Sequence, residues 1–148
     1  MRKPVFILPS LTMLLLLFAA GVSEAVSPRQ NIVTASQVNG TWRYRNNTFK
    51  VWALGNQKLK VEFFGTYEYK VSGEMTANTG TGNAVAHIEG NTAIFKPEVS
   101  EDECKITMKF TQGKLVVNQE GICGFGHNVS AAGTYRKISA RKPKFESD

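Results

Sequence analysis

Side chains able to do chemistry are few in this chain, and they gather around two cysteines. The acidic run Glu98-Val99-Ser100-Glu101-Asp102-Glu103 leads directly into Cys104, and Cys123 opens the segment Cys123-Gly124-Phe125-Gly126-His127-Asn128. Paired-carboxylate catalysis needs acids facing each other across a cleft. Acids strung along one loop cannot do that, but they can enter a basic cleft on a partner and steer its approach. Glu101, Asp102 and Glu103 are therefore candidate partner contacts. Two glycines around Phe125 free the backbone to turn sharply, so the segment either presents Phe125 and His127 as a contact surface or tucks Phe125 into the core.

The histidines are His87 and His127, and the aspartates are Asp102 and Asp148. No spacing among them suits a metal, and no nucleophile stands beside a base. The expectation is a protein without catalytic residues, metal or cofactor. Cys104 and Cys123 lack the close spacing of redox or zinc pairs, so they are expected to form one structural disulfide.

Those residues must be positioned by strands. Leu59, Val61, Phe63, Tyr67, Tyr69 and Val71 alternate with Lys58, Lys60, Glu62, Thr66, Glu68 and Lys70, a period of two that excludes a helix. Gly65 falls on the apolar side of this run, where a bend or bulge is expected. Before it, Trp42 and Tyr44 alternate with arginines, and a turn at Asn46-Asn47 pairs Tyr44 with Phe49 and Trp42 with Val51. That register turns Trp52 outward with Lys50 and Leu54, as a binding anchor or as a residue packed beneath an N-terminal arm.

Ser72 to Gly82, rich in Gly, Thr and Asn, reads as a long loop. Strands 83–89 and 92–99 flank Gly90-Asn91, and put Ala84, Ala86, Ile88, Ala93 and Phe95 on one side while His87 faces solvent. Cys104, Ile106, Met108 and Phe110 alternate up to a turn at Gln112-Gly113, which sets Phe110 opposite Leu115 and Met108 opposite Val117. Cys104 then lies one diagonal step from Cys123, so the disulfide staples this hairpin at its open end. A last strand is expected over 128–138. Eight strands in sequence order, joined mostly by short turns, predict an all-β, antiparallel up-and-down barrel.

The chain has 148 residues, with 18 Lys and Arg against 12 Asp and Glu. Met1-Arg2-Lys3, an apolar stretch from Val5 to Ala20 and the small residues of Ser23-Glu24-Ala25 form the pattern of a secretory signal peptide over residues 1–25. The apolar stretch is shorter than a membrane span. Its removal leaves a mature chain near a net charge of +5. The expected organisation is an arm over 26–38, the barrel over 39–138 and a basic, disordered tail over 139–148. Secretion or a periplasmic location follows, with a monomer, no membrane span after cleavage and no nucleic acid, because no basic stripe carries interleaved aromatics.

Gly40-Thr41-Trp42 resembles the opening strand of the calycin barrels, the lipocalins and avidins, and Arg136 is similar to the basic residue that packs over the tryptophan there. The resemblance implies a closed barrel. The segments Gly90-Asn91-Thr92-Ala93, Cys104-Lys105-Ile106-Thr107, Lys114-Leu115-Val116-Val117 and Cys123-Gly124-Phe125-Gly126-His127-Asn128-Val129 resemble small exported bacterial proteins associated with lysozyme inhibition. That resemblance implies a disulfide-bonded barrel that plugs an enzyme's cleft with its loops. A Ser-Gly-x-x-Tyr inhibitory motif is absent.

The leading expectation is an exported protein that binds a secreted protein such as lysozyme, or an envelope polymer, through loops at one barrel end. Glu101, Asp102, Glu103, Phe125, His127 and Trp52 are its candidate contacts. One competing expectation is a carrier of an apolar ligand in space left by Ala84, Ala86 and Ala93. The other is a structural or stress-related envelope protein.

Overall fold

Period-two patterning is what the chain obeys almost throughout. The computed structural model describes residues 32–98 and 103–146. The segment expected as a signal peptide, and Glu101 and Asp102 of the acidic run, lie outside the described residues. A four-residue helix, α1 (Ala35–Val38), precedes eight strands: β1 (Gly40–Tyr44), β2 (Asn47–Gly55), β3 (Lys58–Val71), β4 (Glu74–Glu89), β5 (Thr92–Phe95), β6 (Lys105–Thr111), β7 (Lys114–Glu120) and β8 (Gly133–Ser139). Each pairs antiparallel with the next, and β8 returns to β1, so the sheet closes into a barrel. No described helix is long and apolar enough to cross a membrane.

Strict alternation divides the chain into two ends. The turns at 45–46 and 72–73, the described connection residues 96–98 and 103–104, and the connection 121–132 lie at one end. At the other lie α1 and the turns at 56–57, 90–91 and 112–113. They are called here the arm end and the helix end. Inward positions fill the barrel with rings: Phe49 lies 4.9 Å from Phe63, 6.0 Å from Phe95 and 5.0 Å from Tyr135, centroid to centroid. Leu59, Ile106, Met108 and Leu115 complete a core with almost no exposed surface. Burying each of these side chains contributes about 2 kcal/mol.

Several expectations need correction. The first hairpin turns at Arg45-Asn46, one residue earlier than expected, and Arg45 takes the left-handed conformation at φ 53°. Trp42 therefore opposes Phe49 rather than Val51, and Gly40 opposes Val51. The shift is two residues in pairing, so every side chain stays on its expected face. Gly65 sits in an unbroken register opposite Gly80. Its reason is space: a Cβ there would strike the Phe63 ring and Val129.

Ser72–Gly82 is not a loop. Only Ser72-Gly73 turn, and Glu74 to Gly82 continue as β4, paired with β3 from Val71↔Glu74 inward. β5 ends at Phe95, and β8 begins at Gly133, later than expected, because residues 121–132 fold as a plug instead. Part of the N-terminal arm is helical, held by a capping box between Thr34 and Gln37.

The basic tail also has a defined path as far as residue 146. Phe145 is buried, with the Lys60 ammonium 4.7 Å from its ring centroid, and the Glu146 N–H donates to Glu62 Oε2 at 2.7 Å. Glu62 is itself buried and paired with Lys50. Phe145, the one aromatic residue in an otherwise basic and polar segment, makes this docking, which corrects the disordered tail expected over 139–148 as far as residue 146.

At the helix end, Trp42 is fully buried and its Nε1 donates to Val38 O at 3.0 Å. Lys137, rather than Arg136, lies over its ring, 4.7 Å from the centroid, and Arg136 is exposed. Lys137 opposes Trp42 across the β1–β8 seam that closes the barrel. Burial pulls its ammonium below the usual lysine range.

Candidate functional site

Two long strands set the site. β3 and β4 outrun their neighbours: β2 stops pairing with β3 at Thr48↔Phe64, and β5 pairs only with residues 87–89 of β4. Residues 66–79 therefore project beyond the barrel as a two-stranded arm. Its pleat continues that of the barrel wall, so Tyr67, Tyr69 and Val71 share the face that lower down carries Leu59, Val61 and Phe63. With no core left to cover them, they are 40%, 37% and 53% exposed, and the two tyrosine rings stack at 6.0 Å.

Behind the arm, the 121–132 connection closes the barrel mouth. Phe125 is 3% exposed and packs on Phe63 at 4.6 Å, with Val129 and Ala131 also buried. Side chains from the strands hold this plug by its backbone. Asn78 donates to His127 O at 2.9 Å, Asn47 donates to Ser130 O at 2.8 Å, and Gln119 accepts from the Ala131 N–H at 2.8 Å. Gly80 lets the plug approach, because any Cβ at that position would collide with the Phe125 carbonyl.

The disulfide ties the roots of the plug and the acidic connection together. Cys104 and Cys123 are bonded as expected, with Cα atoms 4.8 Å apart and both side chains buried. Tyr135 fastens the plug from below, its hydroxyl donating to Ala131 O at 2.8 Å. Burial pushes the Tyr135 phenol well above the ordinary tyrosine range.

The expected contacts thus divide. Glu103 and His127 are exposed at the arm end. Phe125 is there too, but as part of the plug, so it is withdrawn as a surface contact. Trp52 is half-buried on the outer wall opposite Lys60, far along β2 toward the helix end, and shares nothing with the others. Tyr67 and Tyr69 are legible in sequence as strand residues but not as exposed ones, because nothing in their alternation marks where β3 passes the barrel rim.

Charge at the arm end departs from that of the chain. The described arm-end segments 45–46, 66–79, 96–98, 103–104 and 121–132 hold four acidic residues, Glu68, Glu74, Glu98 and Glu103, and three basic ones, Arg45, Lys70 and Lys96, within a chain of net charge +6. A basic molecule approaching that end meets less repulsion than the charge of the whole chain would give. The barrel interior is filled by the rings described above, which leaves Ala84, Ala86 and Ala93 lining packed core rather than a ligand chamber. An aliphatic cleft of about 280 Å³ lies instead at the helix end, between residues 32–35 and Ala53, Leu59 and Ile88. His87 is exposed with Glu89 as its neighbour, and no group of three metal-ligating side chains occurs among the described residues.

No family model matches the chain, and no curated protein and no solved structure matches it either.

Proposed function

We propose that this is an exported binding protein that holds a basic secreted protein, of lysozyme type, against its arm end. The observation that carries the reading is the meeting of two features at that end: tyrosines left uncovered on a projecting strand pair, and a near balance of charge, with Glu68, Glu74, Glu98 and Glu103 present, on an otherwise basic chain. Tyrosine supplies large contact area at low entropy cost, and its hydroxyl tolerates either a wet or a dry interface. Acids around it speed the encounter with a basic partner and disfavour others. The net positive charge of the chain does not oppose this, because the charges nearest the partner dominate once separation falls below the screening length.

Export is supported by the basic-then-apolar start of the chain and by a disulfide, which persists in oxidising compartments. The filled interior favours surface recognition over carriage of a ligand inside the barrel.

The direct experiment mixes the mature protein with a chicken-type lysozyme at rising molar ratio and follows residual lytic activity and binding together. Saturable binding that Tyr67→Ser and Tyr69→Ser weaken about tenfold is expected, the loss typical of an interface anchor. No binding and no inhibition at large excess would overturn the proposal.

A further inference from the structure

The arm leaves one ladder edge open, and that edge is complementary to itself. In a two-residue hairpin the residues flanking the turn form a hydrogen-bonded pair. Val71↔Glu74 is that pair here, so Val71, Tyr69 and Tyr67 aim their backbone groups at β4. Lys70, Glu68 and Thr66 then aim theirs at the side β2 has vacated. Thr66 confirms the phase, since its N–H donates to the Asn47 side chain on that side. Beyond it, the backbone groups of Glu68 and Lys70 meet no strand among the described residues, and both side chains are exposed.

We propose that two copies of this chain join edge to edge through residues 66–71, antiparallel about a twofold axis at Tyr69. Strand addition in a hydrogen-bonding register must pair outward residues with outward residues. Three centrings satisfy that rule near the middle of the arm. Centred on Glu68, the register sets Glu68 against Glu68. Centred on Lys70, it sets Lys70 against Lys70. Centred on Tyr69, it sets Glu68 against Lys70 twice, Tyr67 against Val71 twice and Tyr69 against its own copy. Only the third pairs unlike charges, and it does so at both symmetric places.

The opposite edge of the arm has neither property. There Asn78 and Gly80 are engaged by the plug at His127 and Phe125, and residues 74–79 contain Glu74 as their sole charge. Joining the β3 edges places Tyr67, Tyr69 and Val71 of both copies on one face of a continuous four-stranded sheet, because the twofold axis stands normal to it. This pairing departs from the monomer expected from sequence, where residues 66–71 read as strand but nothing shows that their outer edge lacks a neighbour. The inference is independent of what the arm end binds.

Sedimentation equilibrium of the mature protein from micromolar to millimolar concentration tests it, with amide exchange recorded at both extremes. Wild type is expected to pass from monomer to dimer, and the Glu68 and Lys70 amides to gain protection while Tyr67 and Tyr69, already bonded to β4, change little. Glu68→Lys and Lys70→Glu should each weaken dimerisation about tenfold by turning two attractive cross-strand pairs into repulsive ones. The double swap should restore it. A wild type that stays monomeric, single swaps that dimerise as well as wild type, or a double swap that does not recover would each overturn the pairing. The exposed positions of both residues keep the fold out of these outcomes, and an unchanged far-ultraviolet spectrum verifies that.

Discussion

Lys137 and Trp42 close the barrel together: the ammonium lies 4.7 Å from the indole centroid and donates to Ser36 O at 2.8 Å and Gln37 O at 2.9 Å, while the indole N–H reaches Val38 O. One lysine thus binds the last strand, the first strand and α1. Lys137→Met keeps the aliphatic stem but removes the charge and both donors. A loss of about 1 kcal/mol in chemical denaturation is expected, together with faster proteolytic cleavage within residues 32–38, where the carbonyls of α1 lose their anchor.

Tyr135 gives the protein an alkaline weakness. The folded state holds its phenol protonated above the ordinary value of 10.0, whereas the unfolded chain releases that proton. Above pH 10 the unfolded state therefore binds fewer protons, and stability falls as pH rises. Tyr135→Phe should cost about 1 kcal/mol at neutral pH, through the lost bond to Ala131 O, and should flatten the alkaline limb. Urea titrations at pH 7 and at several values above 10 read both effects.

Reduction of Cys104–Cys123 opens a ring whose ends are 19 residues apart. Chain entropy places the loss at about 3 kcal/mol, and Cys104→Ala with Cys123→Ala should match it. Phe125 should then become quenchable or labelled more readily in footprinting, since the root of its segment is no longer fixed. Equal melting temperatures with and without reductant would contradict this account.

Gly80→Ala drives a methyl group into the Phe125 carbonyl, on a backbone neither side of which can retreat. Destabilisation of about 2 kcal/mol is expected, the range of overpacked cores, and it should exceed that of Thr81→Ala on the opposite, exposed face. Comparing the two variants by calorimetry separates steric expulsion from general loss of strand propensity.

How much of this was legible depended on whether the signal was local. β3 and the β6–β7 hairpin were readable because alternation and a Gly-containing turn sit within a few residues, and both the disulfide and the Phe110↔Leu115 register follow from them. Residues 83–89 of β4 were legible as strand, whereas its first half, residues 74–82, reads as loop because of Gly80 and Gly82. They are glycine for the sake of Phe125, over forty positions further on, and nothing nearby states that. Phe145 was missed for the same reason: its partners Lys60 and Glu62 lie on β3. Of the candidate residues, Glu103 and His127 lie exposed at one end of the barrel, whereas the tyrosines read as strand residues and nothing in their alternation marks where the barrel stops.

The length of β3 and β4 has a mechanical consequence. Both run from the arm's tip to the helix end without a break, so a partner tugging on the tip loads the β2–β3 ladder along its strands. Its bonds then resist together in shear instead of opening one after another like a zipper. A pull applied at the tip is therefore borne by the whole ladder before the barrel yields.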